Sequence, residues 1–406
     1  MKYNYPVLEA LFYYGIYVLF MIPFVFADLC VDNKRACRIC IFIGASMMCV
    51  FAGIRGQSVG TDTPGTLLEF FWPSLPYKTW SQVLSADNEL REPFYLYLSF
   101  LLQKITRKDW IFQLFMQVVT TGPIAVLAYQ NRHKSPVSMT MFAFMMLFYQ
   151  ASFNIARHCA AAAFMLLAVH FYREHRWIRA ILLHVCALFL HSSAKYGTVL
   201  FLAVYLFIRI RNKALKNVVR VLLLIALGYA VMNWKSVTMQ LTQLSFFERL
   251  GGYAQKFTTQ TGENLQWFVM RPRTIFDEAL RVAGFLIIAF MLKDHEKYGD
   301  RTIQFIKYSM LVSVMIFTFF VIAIQSYMGN RISLYYDFLW IPAFSFLCSR
   351  DEIENVALSK YEKVTMPRGN ISLNTIVAVL YCISYNAVIY MFTNWGNTLP
   401  YKVGAL

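Results

Sequence analysis

The sequence predicts an all-α, polytopic transmembrane helical bundle of about twelve spans, with extracytoplasmic loops and short interfacial helices. Three observations carry that expectation. Only 15% of the 406 residues are charged and 58% are hydrophobic, whereas a soluble domain carries about 25% charged residues. The apolar residues fall in unbroken runs, several of about 20 residues, long enough to cross a hydrocarbon core of ~30 Å as helices. Lysines and arginines gather in every second loop between those runs, as cytoplasmic connections do. In lipid each backbone amide needs a partner inside its own segment, so the runs are expected as helices.

Val7–Ala27 holds a single charge, Glu9, while Trp110–Gln130 and Ile371–Thr393 hold none. The remaining runs are Ile39–Ile54, Val137–Phe153, Ile155–Tyr172, Ile178–His191, Ala194–Ile208, Val218–Trp234, Ile275–Leu292, Ile303–Gln325 and Ile332–Cys348. The first run has a lysine ahead of it and a small residue at Ala27, in the manner of a secretory signal. With Met1 preceding it, it is expected to stay as an uncleaved helix. The eight cysteines are scattered, mostly inside runs. Cys37 and Cys40 have CxxC spacing without a second pair to complete a zinc site, so they read as helix-packing residues.

A formal net charge of +16 would suit nucleic acid, but its placement reports topology. The clusters are Lys34, Arg35 and Arg38; Arg132 and Lys134; Arg173, Arg176 and Arg179. Arg209, Arg211, Lys213, Lys216 and Arg220 follow, then Lys293, Lys297 and Arg301, and the stretch from Arg350 to Arg368. All are expected on the cytoplasmic side. Phe94 to Ile105 is apolar but only about 12 residues long, too short for an ordinary crossing. It is therefore expected as an interfacial or re-entrant helix on the outer side, after a loop rich in aromatics (Phe70, Phe71, Trp72, Tyr77, Trp80). The chain reads as one integral membrane domain over 1–406, with an outer loop and interfacial helix over 55–109 and a second long outer loop over 235–274. No internal inverted repeat is visible, which weighs against a secondary transporter.

The polar residues of interest share the expected outer face. Asn154, Arg157 and His158 stand at i, i+3 and i+4, which places them on one face of a continuous helix. An arginine about one turn inside a span either snorkels to the headgroups or faces an anionic ligand. His191 ends another run, with Lys195 four residues on; it is suited to general-base work near neutral pH or to packing at the helix end. His170 and His184 lie on apolar stretches and read as packing residues. The loop from Arg55 to Gly65 combines a cation, turn-forming glycines and the carboxylate of Asp62. Arg91 with Glu92, Arg271 with Arg273, and Asn330 with Arg331 add charge to the same face. Guanidinium groups suit pyrophosphate because their planar donors match phosphate oxygens in pairs. Walker, GxGxxG, HExxH and Asp-x-Asp patterns are missing from the sequence, which weighs against ATP hydrolysis, dinucleotide redox chemistry, zinc proteolysis and metal-dependent transfer from nucleotide sugars.

In this order the motifs resemble the EpsG/Wzy-type polymerases of bacterial exopolysaccharides and O-antigens. They are Arg55 with Gly60, Thr61, Asp62 and Thr63; Glu92, Pro93, Phe94 and Tyr95; and Ser152 to Arg157. Leu188 to Ala194 follows, then Asn330, Arg331, Tyr335 and Tyr336, and Leu399, Pro400 and Tyr401. After Asp62 an aromatic is usual, and Pro64, Gly65 and Thr66 stand here instead. The resemblance implies a GT-C-like membrane glycosyltransferase that polymerises repeat units carried on undecaprenyl diphosphate. It implies action on the outer face of the bacterial cytoplasmic membrane, without cofactor or metal. Arg157, His191, Asp62 and Glu92 are the implied catalytic residues. Arg157, Arg331, Arg55, Arg271, Arg273 and Lys195 are the implied diphosphate ligands, and Asn154, His158 and Tyr335 orient substrate. The implied partners are the lipid-linked donor and acceptor glycans and membrane lipid, with a flippase and a chain-length regulator, and no nucleic acid. Two other classes remain open from the sequence: an O-antigen ligase-type transferase, and a transporter or flippase of lipid-linked glycans. A non-catalytic scaffold would not need so many arginines at one level.

Overall fold

A computed structural model describes residues 7–63, 78–85, 93–233, 272–292, 301–318, 328–348 and 373–392, with 394, 398, 399 and 401–403. Among these residues the fold is all-α. An isolated antiparallel bridge joins Arg55 to Val403. The helices are α1 (Val7–Leu29), α2 (Lys34–Gly53), α3 (Trp80–Ser85), α4 (Pro93–Ile105), α5 (Asp109–Asn131), α6 (Val137–Phe144), α7 (Ala151–Asn154) and α8 (Ala156–Arg173). They continue as α9 (Trp177–Leu190), α10 (Ala194–Arg209), α11 (Lys213–Met232), α12 (Pro272–Met291), α13 (Arg301–Thr318), α14 (Met328–Asp337), α15 (Trp340–Leu347) and α16 (Leu373–Asn386). Glu9–Leu29, Lys34–Gly53, Asp109–Asn131 and Leu373–Phe392 are long and apolar enough to cross a membrane, and shorter apolar helices accompany them. The run Ile332–Cys348 is not one helix but two, α14 and α15. The loop 235–274 lies outside the described residues up to 271, and its last residues begin α12.

The chain forms two compact units, Met1–Ala194 with Phe338–Leu406, and Lys195–Asp337. In the first unit, helix ends are closed by side chains from elsewhere. Asp28 at the end of α1 accepts the Val137 and Ser138 amides at 2.6 and 3.1 Å, satisfying the first turn of α6. Some polar residues inside apolar helices are paired with one another. Gln117 of α5 donates to Thr121 at 2.9 Å and accepts from Ser152 at 3.0 Å.

The run from Val137 departs from a regular α-helix at Met145–Tyr149, which is a π-helical turn. A π turn displaces carbonyls from their usual intrahelical partners, and in lipid those carbonyls need new ones. The last span supplies them. Asn386 donates to Met146 O at 2.9 Å and the Tyr390 hydroxyl donates to Leu147 O at 2.8 Å. Tyr390 itself lies in a second π segment, Ala387–Phe392. Asn386 also donates to Gln150 at 3.2 Å, so the two irregular segments lock each other.

In the second unit a charged cluster ties three helices together. Asp337 at the end of α14 accepts from Arg281 of α12 at 2.6 Å, from Ser333 at 3.3 Å, and from Ser313 of α13 in a shorter contact. Arg281 also donates from Nε to Asp277 at 3.1 Å. Arg281 and Asp337 are 6% and 3% exposed, so the ions are taken out of solvent together, as buried charge requires.

Candidate functional site

The site in the first unit is organised by a break at Ile155. This residue has φ −103° and ψ 50°, so α7 stops at Asn154 and α8 starts at Ala156. The expected single helical face for Asn154, Arg157 and His158 therefore does not form. Each of the three side chains turns to a different partner.

Carbonyls at a helix break lose their intrahelical donors and need others. Phe153 O receives two, Thr63 Oγ1 at 3.0 Å and Arg55 Nη2 at 3.4 Å. Arg55 also donates from Nη1 to Ala52 O, and its guanidinium lies 5.0 Å from the Phe153 ring centroid. It is 2% exposed, with Nε lacking a hydrogen-bond partner among the described residues. Burial draws the guanidinium down to about 10, which leaves it charged at neutral pH. Arg55, expected on the diphosphate, is thus directed at backbone carbonyls on both sides of the site.

Asn154 faces the same loop. Its Oδ1 accepts from Thr61 Oγ1 at 2.7 Å and from the Asp62 amide at 2.9 Å. The acceptor end of Asn154 therefore holds the Asp62 loop, and Nδ2 remains as its donor. Gly60 makes the approach sterically feasible. It has φ +95°, and a Cβ there would lie 2.6 Å from Phe153 O and 2.7 Å from Thr63 Oγ1. Asp62 is left half-buried at the top of this clamp.

Arg157 stands in the first turn of α8 and is half-buried. Its guanidinium lies 4.7 Å from the centroid of the Tyr95 ring. Tyr95 comes from α4, the short helix expected at the outer interface, and is buried with Phe112, Met116 and Ala156. The aromatic ring attracts the cation, whose N–H donors lie in the guanidinium plane. The start of α8 adds the positive end of the helix dipole.

His158 turns to His191, their ring centroids 3.4 Å apart and their planes 37° from parallel. His191 Nδ1 is 3.1 Å from the Ser193 amide and 2.8 Å from Ser193 Oγ. An amide N–H can only donate, so Nδ1 is the unprotonated nitrogen and the neutral ring carries its proton on Nε2.

In the second unit, Lys195 is half-buried at the start of α10, its ammonium 5.1 Å from the Tyr196 ring. Tyr335 is fully buried in α14, one turn beyond Arg331 on the same helix. Arg273 is the second residue of α12. Glu92 and Arg271 lie outside the described residues. Thr61 and Tyr95 stand in the sequence motifs without a role, and the cluster of Arg281, Asp277 and Asp337 is not among the residues the sequence singled out. The signal for the last was present as charges inside apolar runs.

Among known proteins, the family model of the EpsG family matches residues 38–403. No curated protein and no solved structure matches the chain. With nearly the whole sequence covered by that model, the chain belongs to the EpsG family.

Proposed function

We propose that this protein polymerises oligosaccharide repeat units carried on undecaprenyl diphosphate, at the outer face of the bacterial cytoplasmic membrane. Family membership supports a glycosyltransferase-like polymerase of the exopolysaccharide or O-antigen type. The observation that carries the finer reading is the break at Ile155. There one clamp brings a carboxylate loop to the start of a helix bearing Arg157 and His158, with His191 against His158. In the reaction a hydroxyl of the acceptor glycan attacks the anomeric carbon of the donor glycan. The bond from that carbon to the diphosphate oxygen breaks, and undecaprenyl diphosphate leaves. Negative charge grows on the leaving oxygen, so donors pre-aimed at it lower the barrier. Arg157 supplies paired in-plane donors, backed by the dipole of α8. His191, protonated at Nε2, donates a further hydrogen bond. Asp62 takes the proton of the attacking hydroxyl as general base. Membrane-facing apolar surfaces hold the polyprenyl tails.

The test is the lipid-linked glycan pool of a deletion strain. Single repeat units are expected to accumulate on the lipid. Accumulation of full-length polymer on the lipid instead identifies a ligase, and accumulation of units on the cytoplasmic leaflet identifies a flippase.

Transfer is expected to proceed without a divalent ion, because the sequence lacks Asp-x-Asp and offers guanidinium groups for the same charge. Purified protein in excess chelator should keep most of its turnover. Abolition by chelator with recovery on adding Mg²⁺ or Mn²⁺ would rule that out.

A further inference from the structure

Leu399 and Tyr401 take no part in the chemistry assigned above, yet the described residues after the last helix have a defined place. Tyr401 lies flat on Phe51, ring centroids 4.2 Å apart and planes 13° from parallel, and donates its hydroxyl to Phe51 O. Phe51 belongs to the last turn of α2, immediately before the Arg55 loop. Tyr13 of α1 closes the cluster, 5.9 Å from Tyr401 and 6.0 Å from Phe51, and donates to Thr398 O at 2.7 Å. Asn394 and Leu399 exchange two hydrogen bonds of 2.9 Å. Gln150, four residues before Asn154, donates to Thr398 Oγ1 at 3.3 Å.

These contacts end on the loop that carries Asp62. Lys402 O accepts the Gly56 amide, and Arg55 pairs with Val403 in the isolated bridge. Through backbone atoms the described tail residues thus meet the loop at Arg55 and Gly56, while the Arg55 side chain holds the carbonyls of Ala52 and Phe153. Fully buried Tyr13 and the flat stack of Tyr401 give the segment a rigid base in the span.

We propose that residues 394, 398, 399 and 401–403 brace the Arg55–Thr63 loop and that Tyr401 is a positioning residue for Asp62. The proposal rests on the reading of Asp62 as the base. Tyr401 acts through Phe51 and Gly56 rather than on the glycan.

A covalent substitute for the stack tests it. A Cβ at Gly56 would lie 3.6 Å from the Lys402 Cβ, within the range of about 3.5–4.5 Å that a disulfide spans. The Gly56→Cys, Lys402→Cys pair should therefore cross-link in isolated membranes under mild oxidant, seen by gel mobility and loss of thiol labelling. Tyr401→Phe keeps the ring and should keep most ladder formation. Tyr401→Ala should reduce the ladder about tenfold or more at equal membrane level, a rise of about 1.4 kcal/mol or more in effective barrier. If Tyr401→Ala fails to accumulate, Tyr401→Leu takes its place, keeping apolar bulk without the stack. In the Tyr401→Ala background the oxidised cysteine pair should restore at least about half of the ladder, and reductant should abolish it again. Absence of the cross-link overturns the brace. A normal ladder from Tyr401→Ala overturns the positioning role, as does a cross-linked Tyr401→Ala protein that stays inactive, which would put Tyr401 on the substrate. A wild-type membrane that makes no ladder at all tells against the polymerase reading, whereas the cross-link is read independently of any glycan.

Discussion

Arg157→Lys is expected to insert and accumulate like the parent protein while losing most polymerisation, and Arg157→Ala to lose essentially all of it. The reason is the geometry of its charge. Arg157 lies over the Tyr95 ring at 4.7 Å, and the N–H donors of a guanidinium all lie in one plane. A diphosphate accepts such donors two at a time. A lysine ammonium in the same place keeps the positive charge and the attraction to the ring, but it offers a point charge without the fork. Losing one charge-assisted hydrogen bond costs about 1.5–3 kcal/mol, or roughly 10- to 100-fold in rate. An anchoring role predicts a different result, because lysine snorkels to headgroups as well as arginine does. Near wild-type polymer ladders from Arg157→Lys, at membrane levels matched by immunoblot, would leave Arg157 as a headgroup anchor. Tyr95→Ala should weaken polymerisation in the same direction, since it removes the surface against which the guanidinium is oriented.

The apolar helices were legible because their signal is composition, and composition survives whatever the helices do inside. The irregular turns were not legible for the same reason. Met145–Tyr149 contains neither proline nor glycine, and its sequence suits an α-helix as well as a π turn. The difference is made by Asn386 and Tyr390, which reach the displaced carbonyls from more than 200 positions away. The break at Ile155 has a similar origin. Thr63 and Arg55 satisfy Phe153 O from a loop about 90 residues earlier, and that loop approaches only because Gly60 has no Cβ. Periodicity put Asn154 and Arg157 on one face, and the break separated them. Arg55 shows the limit for side chains. A loop arginine near glycines and a carboxylate looks like an anion ligand in one dimension, while in three it is buried against carbonyls. Asp62, Asn154, Arg157, His158 and His191 were all legible as polar residues at one level. What each one holds was not, because hydrogen-bond partners are a property of the fold.

The second large effect is expected in the other unit, at Arg281. Arg281→Met should destabilise the protein by about 3–5 kcal/mol, the range for breaking a buried ion pair by removing one partner. The arginine is the tenth residue of α12, and its loss strands Asp337, which is 3% exposed, with the Ser313 and Ser333 hydroxyls as its remaining hydrogen-bond partners among the described residues. Asp277 loses its 3.1 Å bond to Nε at the same time. In an apolar helix environment a lone carboxylate is costlier than a missing hydrogen bond, so the penalty is set by what is left behind. That argument makes a second, sharper statement. Adding Asp337→Asn to Arg281→Met removes the stranded charge while an amide can still bond to Ser313 and Ser333, so most of the lost stability should return. A stabilising ion pair with little desolvation cost predicts the opposite, with the double variant no better than either single one. The measurement is thermal unfolding in detergent for the parent, both single variants and the double variant. Because Arg331 and Tyr335 ride on α14 with Asp337, the single Arg281→Met variant should also lose polymerisation, and the double variant should recover it in step with its stability.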